Sequence, residues 1–227
     1  MRILVTGVAR GLGAALMEEG MRRGHDMAGG VRAEGYSEPG RLLLPMDVTN
    51  GEQVKQAADE LTRRWGRLDV LINNAGVIQP DFDSYFAPGR DALSLLPIEE
   101  LERLTAVNFV GPIRVTQAFW PLLQAGVEPQ ILHITSESGS LALNERLFEP
   151  YSLSKTAMNV AARRMRAILE GRARVLAIHP GRMRTPMSGG KGEIEASEAA
   201  SGIFDLIEGR SVAAGWYVDY RGNQMPE

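Results

Sequence analysis

Cysteine is absent from this 227-residue chain, lysine occurs only three times, and no apolar run is long. The absence of cysteine excludes disulfides, thiolate metal ligands and cysteine nucleophiles. No apolar segment approaches the roughly 18 residues that a membrane span requires. The run that begins the chain, residues 1–5, is too short for a signal peptide. We therefore expect a cytoplasmic protein with no membrane partner.

Positive charge is not in excess either. The 25 Lys and Arg residues against 28 Asp and Glu residues leave a net charge of −3. Without a basic field to attract phosphates, we expect no nucleic-acid partner. His25, His133 and His179 are scattered without ligand spacing, and no acidic cluster is present, so we also expect no bound metal.

Short apolar segments alternate with amphipathic segments along the whole chain. After Asn50, apolar residues recur at positions 54, 57, 58 and 61, the spacing of one helix face. The segment Val70-Leu71-Ile72 is instead apolar throughout, as expected for a parallel strand that helices cover on both faces. The predicted strands cover residues 2–6, 27–31, 42–45, 70–73, 130–135, 174–179 and 216–219, and the predicted helices cover 13–23, 52–64, 98–123, 151–169 and 197–208.

Seven strands separated by helices predict a doubly wound α/β fold. The sheet is expected to be mostly parallel, with helices on both faces, in a Rossmann-type arrangement. Because no repeat, low-complexity tract or linker divides the sequence, residues 1–227 are expected to form a single domain.

Two segments depart from this pattern. The second strand contains Gly29 and Gly30, which suggests either a close approach of the backbone or a bulge. The segment 79–97 combines several prolines with three aromatic residues, at positions 82, 85 and 86. We expect an ordered excursion beside the sheet, whose aromatic residues either pack against the protein or form a wall for a substrate.

The first strand runs directly into a glycine-rich turn, Thr6-Gly7-Val8-Ala9-Arg10-Gly11-Leu12-Gly13, that opens a helix. Gly7 permits a tight turn, Gly11 lets backbone amides approach a phosphate, and Gly13 lets the helix pack closely on the strand. The helix N-terminus presents N–H groups and the positive end of its dipole to an anion. The strand before the turn and the helix after it favour a dinucleotide pyrophosphate over a turn that binds nothing.

The spacing of this turn resembles the first turn of the short-chain dehydrogenase/reductase family, Thr-Gly-x-x-x-Gly-x-Gly. Further motifs follow in the order of that family: Asp47-Val48, Asn73-Asn74-Ala75-Gly76, Asn108, Ile134-Thr135-Ser136-Glu137-Ser138-Gly139, Tyr151-x-x-x-Lys155, Pro180-Gly181 and Thr185. Within the family, the C-terminal tail from Gly215 to Gly222 is similar to sniffer-type carbonyl reductases and to the bacterial C-factor proteins.

The resemblance implies a nicotinamide dinucleotide as cofactor and indicates the residues that contact it. Asp47 and Val48 would hold the adenine ring. The turn would hold the pyrophosphate through Gly7, Arg10, Gly11, Leu12 and Gly13. The remaining contacts would come from Asn74, Ala75, Gly76, Tyr151, Lys155, Pro180, Gly181 and Thr185.

The tyrosine and lysine motif also has a direct chemical interpretation. Residues four apart share one helix face, so Lys155 is expected beside the ring of Tyr151. A neighbouring cation stabilises a phenolate and should lower the pKa of Tyr151 from its usual value of about 10. Tyr151 would then act as the general acid that protonates a carbonyl oxygen as hydride arrives. Asn108 resembles the family asparagine that holds a water in a proton relay to the lysine, and a buried asparagine at a backbone kink is compatible with that role.

Two serines compete for the hydrogen bond to the substrate carbonyl oxygen. Ser138 stands 13 residues before Tyr151, a common interval in the family, whereas Ser136 stands 15 residues before it. The local motif instead places Ser136 three residues before Gly139 and directly after the strand. We favour Ser136, because loop length varies more easily than the strand-end geometry that aims a side chain.

Two arginines favour NADP(H) over NAD(H) as the cofactor. Family members that use NAD(H) generally carry an acidic residue at the end of the second strand, where this sequence has Val31 followed by Arg32. Arg10 precedes Gly11, where members that use NADP(H) often carry a basic residue. Two guanidiniums on one 2′-phosphate would form charge-assisted hydrogen bonds. Glu34 would weaken this preference if it faced the ribose instead of Arg32.

The sequence therefore predicts an NADP(H)-dependent oxidoreductase that transfers hydride between nicotinamide and a small carbonyl or alcohol substrate. A non-catalytic dinucleotide sensor and a C-factor-like signalling protein remain alternatives. The resemblance also implies a homodimer or homotetramer, paired through the helices that carry Asn108 and Tyr151. The substrate pocket is expected to be apolar and to be lined by Ile78, Leu141, Leu143, Met183 and Met187.

Overall fold

The computed structural model describes residues 1–32, 37–80, 96–145 and 148–227, which form one seven-stranded sheet flanked by helices. The strands are β1 (Arg2–Thr6), β2 (Asp26–Val31), β3 (Leu42–Pro45), β4 (Val70–Asn73), β5 (Gln130–Ile134), β6 (Arg174–His179) and β7 (Tyr217–Asp219). The α-helices are α1 (Gly11–Arg22), α2 (Gly51–Trp65), α3 (Ile98–Thr105), α4 (Gly111–Gln124), α5 (Leu141–Asn144), α6 (Pro150–Ile168) and α7 (Ala196–Ile207). Short 3₁₀ helices cover Glu137–Gly139 and Pro186–Ser188.

The strand order is β3-β2-β1-β4-β5-β6-β7, and every neighbouring pair of strands is parallel. The direction in which the sheet grows reverses between β1 and β4. In open α/β sheets, ligands bind in the crevice outside the carboxyl ends of the strands at such a reversal. The predicted doubly wound fold is confirmed, and the sheet is wholly rather than mostly parallel.

Apolar layers hold helices against both faces of the sheet. On one face α1 and α7 pack through fully buried residues such as Leu16 and Phe204. On the other face α2 and α4 pack through Leu61 and Phe119, and α6 covers β6 and β7 through Met158. The strands are therefore apolar on both sides, which is the pattern from which β4 was predicted.

The two glycines of β2 lie where side chains press on the strand from both faces. A Cβ on Gly29 would lie 2.5 Å from Cγ2 of Val8, and one on Gly30 would lie 2.4 Å from Cε of Met46. The strand pairs with β1 and β3 in an unbroken register. Of the two explanations expected from the sequence, the close approach is confirmed and the bulge is wrong.

The helix predicted over residues 98–123 is divided by a π-helical turn, Ala106–Val110. The N–H of Gly111 donates to the carbonyl of Ala106, five residues back. Pro112 follows and has no N–H to donate to the carbonyl of Asn108, so a regular α-helical turn would lose a bond at this point. Turns of this type are frequent at functional sites, and this one carries the buried Asn108.

Two expectations fall outside the described residues. The aromatic residues at positions 82, 85 and 86 of the segment 79–97 belong to an undescribed range, as does Glu34, so their predicted roles stay predictions. Within the described ranges, none of the helices has the length and apolar character needed to cross a membrane.

Candidate active site

Buried Thr6 joins the glycine-rich turn to the end of β4 at the carboxyl edge of the sheet. Its Oγ1 accepts hydrogen bonds from the backbone N–H groups of Asn74 at 3.0 Å and Ala75 at 2.9 Å. Asn74 Nδ2 donates in turn to the carbonyls of Thr6 at 2.9 Å and Gly7 at 3.1 Å. These bonds fix the motif after β4 against the turn, a role for Thr6 that the sequence did not indicate.

Gly7 and Gly13 are required by the close approach of the backbone. A Cβ on Gly7 would lie 2.8 Å from Cα of Ala75, and one on Gly13 would lie 2.1 Å from the carbonyl oxygen of Gly7. Gly7 also has a φ of 73°, in the left-handed region that favours glycine. The first turn of α1 therefore packs directly against the end of β1.

The N-terminus of α1 has the chemistry of an anion site. Its N-cap is Arg10, whose side chain makes no capping hydrogen bond to the first-turn N–H groups. Arg10 and Arg32 follow the neighbouring strands β1 and β2, are exposed, and form no ion pair with any residue in the described ranges. Uncapped N–H groups, a positive dipole end and two available guanidiniums fit the phosphates of a dinucleotide.

The predicted adenine contacts lie after β3. Asp47 Oδ1 accepts hydrogen bonds from the N–H and the hydroxyl of Thr49, at 2.8 and 2.7 Å. Val48 is buried, and a Cβ on Gly111 would lie 2.8 Å from its Cγ2. Leu12, also predicted as a cofactor contact, places its side chain in the core beneath α1, which leaves its backbone as the group available to a ligand.

The loop after β6 forms the other side of the crevice. Pro180 is buried, and Gly181 has a φ of 85°. A Cβ on Gly11 would lie 3.8 Å from Cβ and Cγ2 of Thr185, so the glycine-rich turn and Thr185 are neighbours. Gly76, after β4, is a neighbour of Lys155, because a Cβ on this glycine would lie 3.7 Å from Nζ of Lys155.

Ser136, Tyr151 and Lys155 lie together where β5 ends and α6 begins. The side chain of Ser136 lies near that of Tyr151, close enough for its hydroxyl to lower the pKa of the tyrosine. Lys155 Nζ lies 5.6 Å from the centre of the Tyr151 ring and donates to the carbonyl of Ile134 at 2.9 Å. Ser138 contributes its backbone N–H to Ser136 Oγ at 3.1 Å. Of the two candidate serines, Ser136 is therefore the one whose hydroxyl the structure brings to Tyr151.

Burial sets the proton affinities of this cluster. It raises the pKa of Tyr151 to about 12, against the lowering effect of Ser136, and the charges of Glu149 and Glu137 add to the increase. Burial also lowers the pKa of Lys155 to about 8. The expectation that the pKa of Tyr151 lies below its usual value is wrong for the chain on its own, because burial disfavours the charged phenolate.

Asn108 braces this cluster from the π-helical turn. Its Oδ1 accepts from the N–H of Val77 at 2.9 Å, and its Nδ2 donates to the carbonyl of Val77 at 2.8 Å and to Ser154 Oγ at 3.0 Å. The Ser154 hydroxyl donates to the carbonyl of Tyr151 at 2.7 Å. Asn108 is buried at the π-helical turn, and its part in a proton relay stays a prediction.

Two further buried residues next to Tyr151 were not indicated by the sequence patterns. Glu149 accepts hydrogen bonds from the N–H groups of Tyr151 at 2.7 Å and Ser152 at 2.6 Å, so it caps α6. Gln79 Nε2 donates to Glu149 Oε2 at 2.5 Å. The signal available in the sequence was an acidic residue directly before Pro150, since proline is favoured at the first position of a helix.

The segments that flank the cluster carry exposed apolar side chains. Leu141 and Leu143 of α5 are 60% and 49% exposed, and Met187 after β6 is 47% exposed. Phe148, which precedes the cap of α6 and was not predicted, is 40% exposed. The other two predicted pocket residues, Ile78 and Met183, are half-buried. The described residues contain no group of three or more His, Asp or Glu side chains that could hold a metal ion.

A wholly parallel doubly wound sheet, with a glycine-rich turn at its reversal and a Ser–Tyr–Lys cluster at the same edge, defines a Rossmann-type oxidoreductase. The model of the short chain dehydrogenase family matches residues 1–196, and the chain belongs to that family.

Three known proteins illustrate the relationship. C-signal of Myxococcus xanthus is 36% identical over 165 residues, which cover 71% of this chain and 93% of that protein. The NADPH-dependent pterin aldehyde reductase of Arabidopsis thaliana is 29% identical over 195 residues, covering 82% of this chain and 76% of the relative. The structure of the carbonyl reductase Sniffer of D. melanogaster has the same fold, with a TM-score of 0.83, 21% identity and coverage of 100% of this chain and 99% of that one.

Proposed function

We propose that the protein is an NADP(H)-dependent reductase that transfers hydride between nicotinamide and a small carbonyl or alcohol substrate, with residues 1–227 acting as one unit. The main support is the contact between Tyr151 and Ser136, with Lys155 Nζ beside the tyrosine ring, at the sheet edge that also carries the glycine-rich turn. A protein that only binds a dinucleotide needs the turn and has no use for this cluster.

Ser136 and Tyr151 act on the same carbonyl oxygen of the substrate in different ways. Ser136 donates a hydrogen bond to the oxygen, on which negative charge builds as the carbon is reduced. Tyr151 donates its hydroxyl proton to that oxygen, so that an alcohol forms. The reduced cofactor, when bound, supplies the hydride to the carbonyl carbon. A pKa of about 12 keeps the phenol of Tyr151 protonated at neutral pH, as an acid in the reducing direction must be.

Lys155 stabilises the phenolate that the proton transfer leaves behind. Its ammonium lies beside the ring, and a positive charge next to a phenolate favours that ionised form. Because burial lowers its pKa to about 8, Lys155 also releases a proton near neutral pH more readily than an exposed lysine does. We assign to Asn108 the water through which this proton is replaced from solvent.

Arg10 and Arg32 support NADP(H) as the cofactor. Both are exposed and without ion-pair partners among the described residues, and they follow neighbouring strands at the edge where α1 begins. A charge-assisted hydrogen bond to a 2′-phosphate contributes about 1.5–3 kcal/mol. Two such bonds would contribute about 3–6 kcal/mol in total, and even half of that total gives a preference of about tenfold or more. The NADPH dependence of the Arabidopsis relative points the same way.

The cofactor preference is tested by the ratio of kcat/KM with NADPH to that with NADH. We expect a ratio well above one in the wild type and a fall of at least about tenfold in Arg10→Ala/Arg32→Ala. Arg63→Ala, which removes an exposed arginine from α2, is the matched control and should leave the ratio unchanged. A preference that survives the double substitution would contradict the roles of these arginines, and a preference for NADH would contradict the choice of cofactor.

The exposed apolar side chains of Leu141, Leu143, Phe148 and Met187 favour a small or flat apolar carbonyl compound as substrate. The experiment is incubation with NADPH deuterated at either face of C4 and a panel of aliphatic and aromatic aldehydes and ketones. We expect an alcohol one mass unit heavier with one of the two labelled cofactors. Absence of deuterium transfer from both, with every carbonyl compound, would contradict the proposal.

The similarity to C-signal keeps a signalling function as the second candidate. A signalling protein or a redox sensor would bind NADPH without consuming it. The deuterium-transfer experiment detects turnover, so it separates both of these functions from catalysis.

For the assembly we propose a homodimer or homotetramer formed through α4 and α6. Val110, beside α4, and Val160, on α6, are exposed apolar residues on this side of the protein. Sedimentation velocity should give at least twice the monomer mass of 24.8 kDa, and a monomer at micromolar concentration would contradict the proposal.

A further inference from the structure

A buried carboxylate next to Tyr151 takes no part in the mechanism proposed above. Glu149 is 1% exposed, and its partner Gln79 is 2% exposed. Removing a carboxylate from water is costly unless hydrogen bonds replace its hydration. Its place at the start of α6, two residues before Tyr151, therefore calls for a specific reason.

Glu149 completes the hydrogen bonding of the first turn of α6. Pro150 has no N–H, the N–H groups of Tyr151 and Ser152 reach the two carboxylate oxygens, and the N–H of Leu153 bonds to the carbonyl of Glu149 at 3.1 Å. Among the described residues, the three groups that bond to the carboxylate are all donors, because Gln79 contributes its amide N–H. Such a set suits an anion, whereas a protonated acid would set its own O–H against an N–H.

Gln79 makes this cap part of a second brace between the end of β4 and α6. The first brace runs from Val77 through Asn108 to Ser154, whose hydroxyl bonds to the carbonyl of Tyr151. The second runs from Gln79 through Glu149 to the N–H of Tyr151. The backbone of Tyr151 is therefore held on both its N–H and its carbonyl by groups that reach back to the segment after β4.

We propose that Glu149 is a positioning residue for proton transfer by Tyr151. It holds the tyrosine beside Ser136 and, through Gln79, ties it to the segment after β4. The proposal rests on the reductase function inferred above, because it assigns Glu149 to the same proton transfer. The carboxylate acts through Tyr151 and does not touch the reacting atoms.

The charge of Glu149 also acts on the tyrosine hydroxyl. Among the described residues, the groups near Tyr151 include Lys155 from its own helix, Ser136 and Glu137 after β5, and Tyr217 from β7. Glu137 is paired with Arg182 at 2.7 Å near the surface, which offsets its charge. Glu149 has no such cation among the described residues. Removal of its charge should therefore favour the phenolate of Tyr151.

Glu149→Gln removes the negative charge alone, because glutamine keeps the shape of the side chain and one acceptor oxygen. Glu170→Gln, which removes an exposed carboxylate just beyond the other end of α6, is the matched control. The titration of Tyr151 is followed by NMR of ¹³Cζ-labelled tyrosine in the complex with NADP⁺, and its signal is identified by its loss in Tyr151→Phe. We expect the midpoint to fall by about 0.5–1 pH unit in Glu149→Gln and to stay in place in Glu170→Gln.

The pH profile of kcat gives an independent readout. Carbonyl reduction needs the protonated phenol, so its basic limb should move to lower pH in Glu149→Gln, by the same shift as the NMR midpoint. Glu149→Asp, which keeps the charge, should restore the wild-type midpoint. Gln79→Leu should lower kcat severalfold and leave the affinity for NADPH unchanged.

An unchanged midpoint and an unchanged pH profile in Glu149→Gln, with lower thermal stability alone, would show that Glu149 only caps the helix and would overturn the proposal. If Glu149→Gln does not fold, Glu149→Ser carries the same test, because serine is a favoured cap and is neutral. The NMR midpoint does not depend on turnover. An inactive wild type would therefore contradict the reductase function without deciding the effect of Glu149 on Tyr151.

Discussion

Ser136 is held by three contacts. Its hydroxyl meets the side chain of Tyr151 and the N–H of Ser138, and its carbonyl accepts the hydroxyl of buried Tyr217 at 2.8 Å. A hydroxyl fixed in this way can donate to a carbonyl oxygen without reorganising during the reaction. The position of Ser138 gives it only a backbone bond to the cluster.

The serine assignment predicts unequal effects of two identical substitutions. Ser136→Ala should lower kcat by about 10²–10³-fold, the usual cost of losing one donor to a developing oxyanion. Ser138→Ala should change kcat by less than a few-fold, because its N–H remains. Both are measured with the same aldehyde at saturating NADPH. Equal losses, or a larger loss in Ser138→Ala, would reverse the assignment.

His133 makes a separate prediction about stability. It is fully buried on β5, and burial, with a smaller effect of the charge on Lys155, lowers its pKa from 6.5 to about 3. Between these values the unfolded chain binds a proton that the folded chain does not, so stability falls as the pH falls from 6.5 to 3. The loss from this group is on the order of 3–5 kcal/mol. His133→Leu should flatten the dependence of the unfolding free energy on pH in this window.

The control for this prediction is the same pair of proteins at pH 7, where the imidazole is neutral in both states and only packing differs. Denaturant unfolding at intervals from pH 7 to pH 4 gives both curves. Parallel curves for the wild type and His133→Leu would mean that His133 does not titrate differently in the two states.

Residues that belong to motifs could be identified from the sequence, whereas residues whose role depends on where they are buried could not. The Tyr151–Lys155 spacing and the strand-end position of Ser136 both follow from local pattern, and the structure brings the three side chains together. Gln79 and Glu149 belong to no motif or periodic pattern, and Thr6 opens the glycine-rich motif but bonds to partners on another element. For the same reason the pKa of Tyr151 was expected to fall, since desolvation depends on the whole fold.

Among the elements, α1 packs so closely on the end of β1 that its first turn has no room for a side chain at Gly13. A Cβ at Gly13 would lie 2.1 Å from the carbonyl oxygen of Gly7, which is backbone and cannot move away cheaply. Gly13→Ala should therefore push the start of α1 off the strand. We expect a lower melting temperature and at least about a tenfold loss of affinity for NADPH, equivalent to about 1.4 kcal/mol.

Gly51→Ala is the matched control for this substitution. Gly51 is the first residue of α2, and a Cβ there would meet Arg114 at an ordinary 3.8 Å. Alanine should be neutral or slightly stabilising at this position. Calorimetry and NADPH titration of both variants make the comparison. If Gly13→Ala bound NADPH as tightly as Gly51→Ala, the approach of α1 to β1 would not matter for the cofactor.

The boundaries of the elements could be predicted wherever the apolar pattern is long. The seven strands start and end within one residue of the sequence prediction, because each is an apolar run bounded by polar or turn residues. The π-helical turn was missed because its residues keep the pattern of a helix and only Pro112 marks the break. The four-residue helix α5 was missed because a single turn is too short for apolar residues to recur on one face.

For the molecule as a whole, the parallel sheet brings distant parts of the sequence to one edge. The turn after β1, the motif after β4, Ser136 after β5 and the loop after β6 all lie at carboxyl ends of neighbouring strands. The sequence predicted this convergence once seven parallel strands were expected. The order of the motifs does not show how deeply each side chain is buried, and burial is what shifts the pKa values of Tyr151 and Lys155.

We expect this convergence of motifs to perform reduction and Tyr151 to supply the proton. This expectation is tested most directly by measuring NADPH consumption with an accepted aldehyde, together with NADPH affinity, in the wild type and in Tyr151→Phe. We expect steady turnover in the wild type, a fall in kcat of about 10²–10⁴-fold in Tyr151→Phe, and a dissociation constant for NADPH that changes by less than about twofold. Turnover in Tyr151→Phe at the wild-type rate would contradict this expectation, as would a wild type that binds NADPH and consumes none.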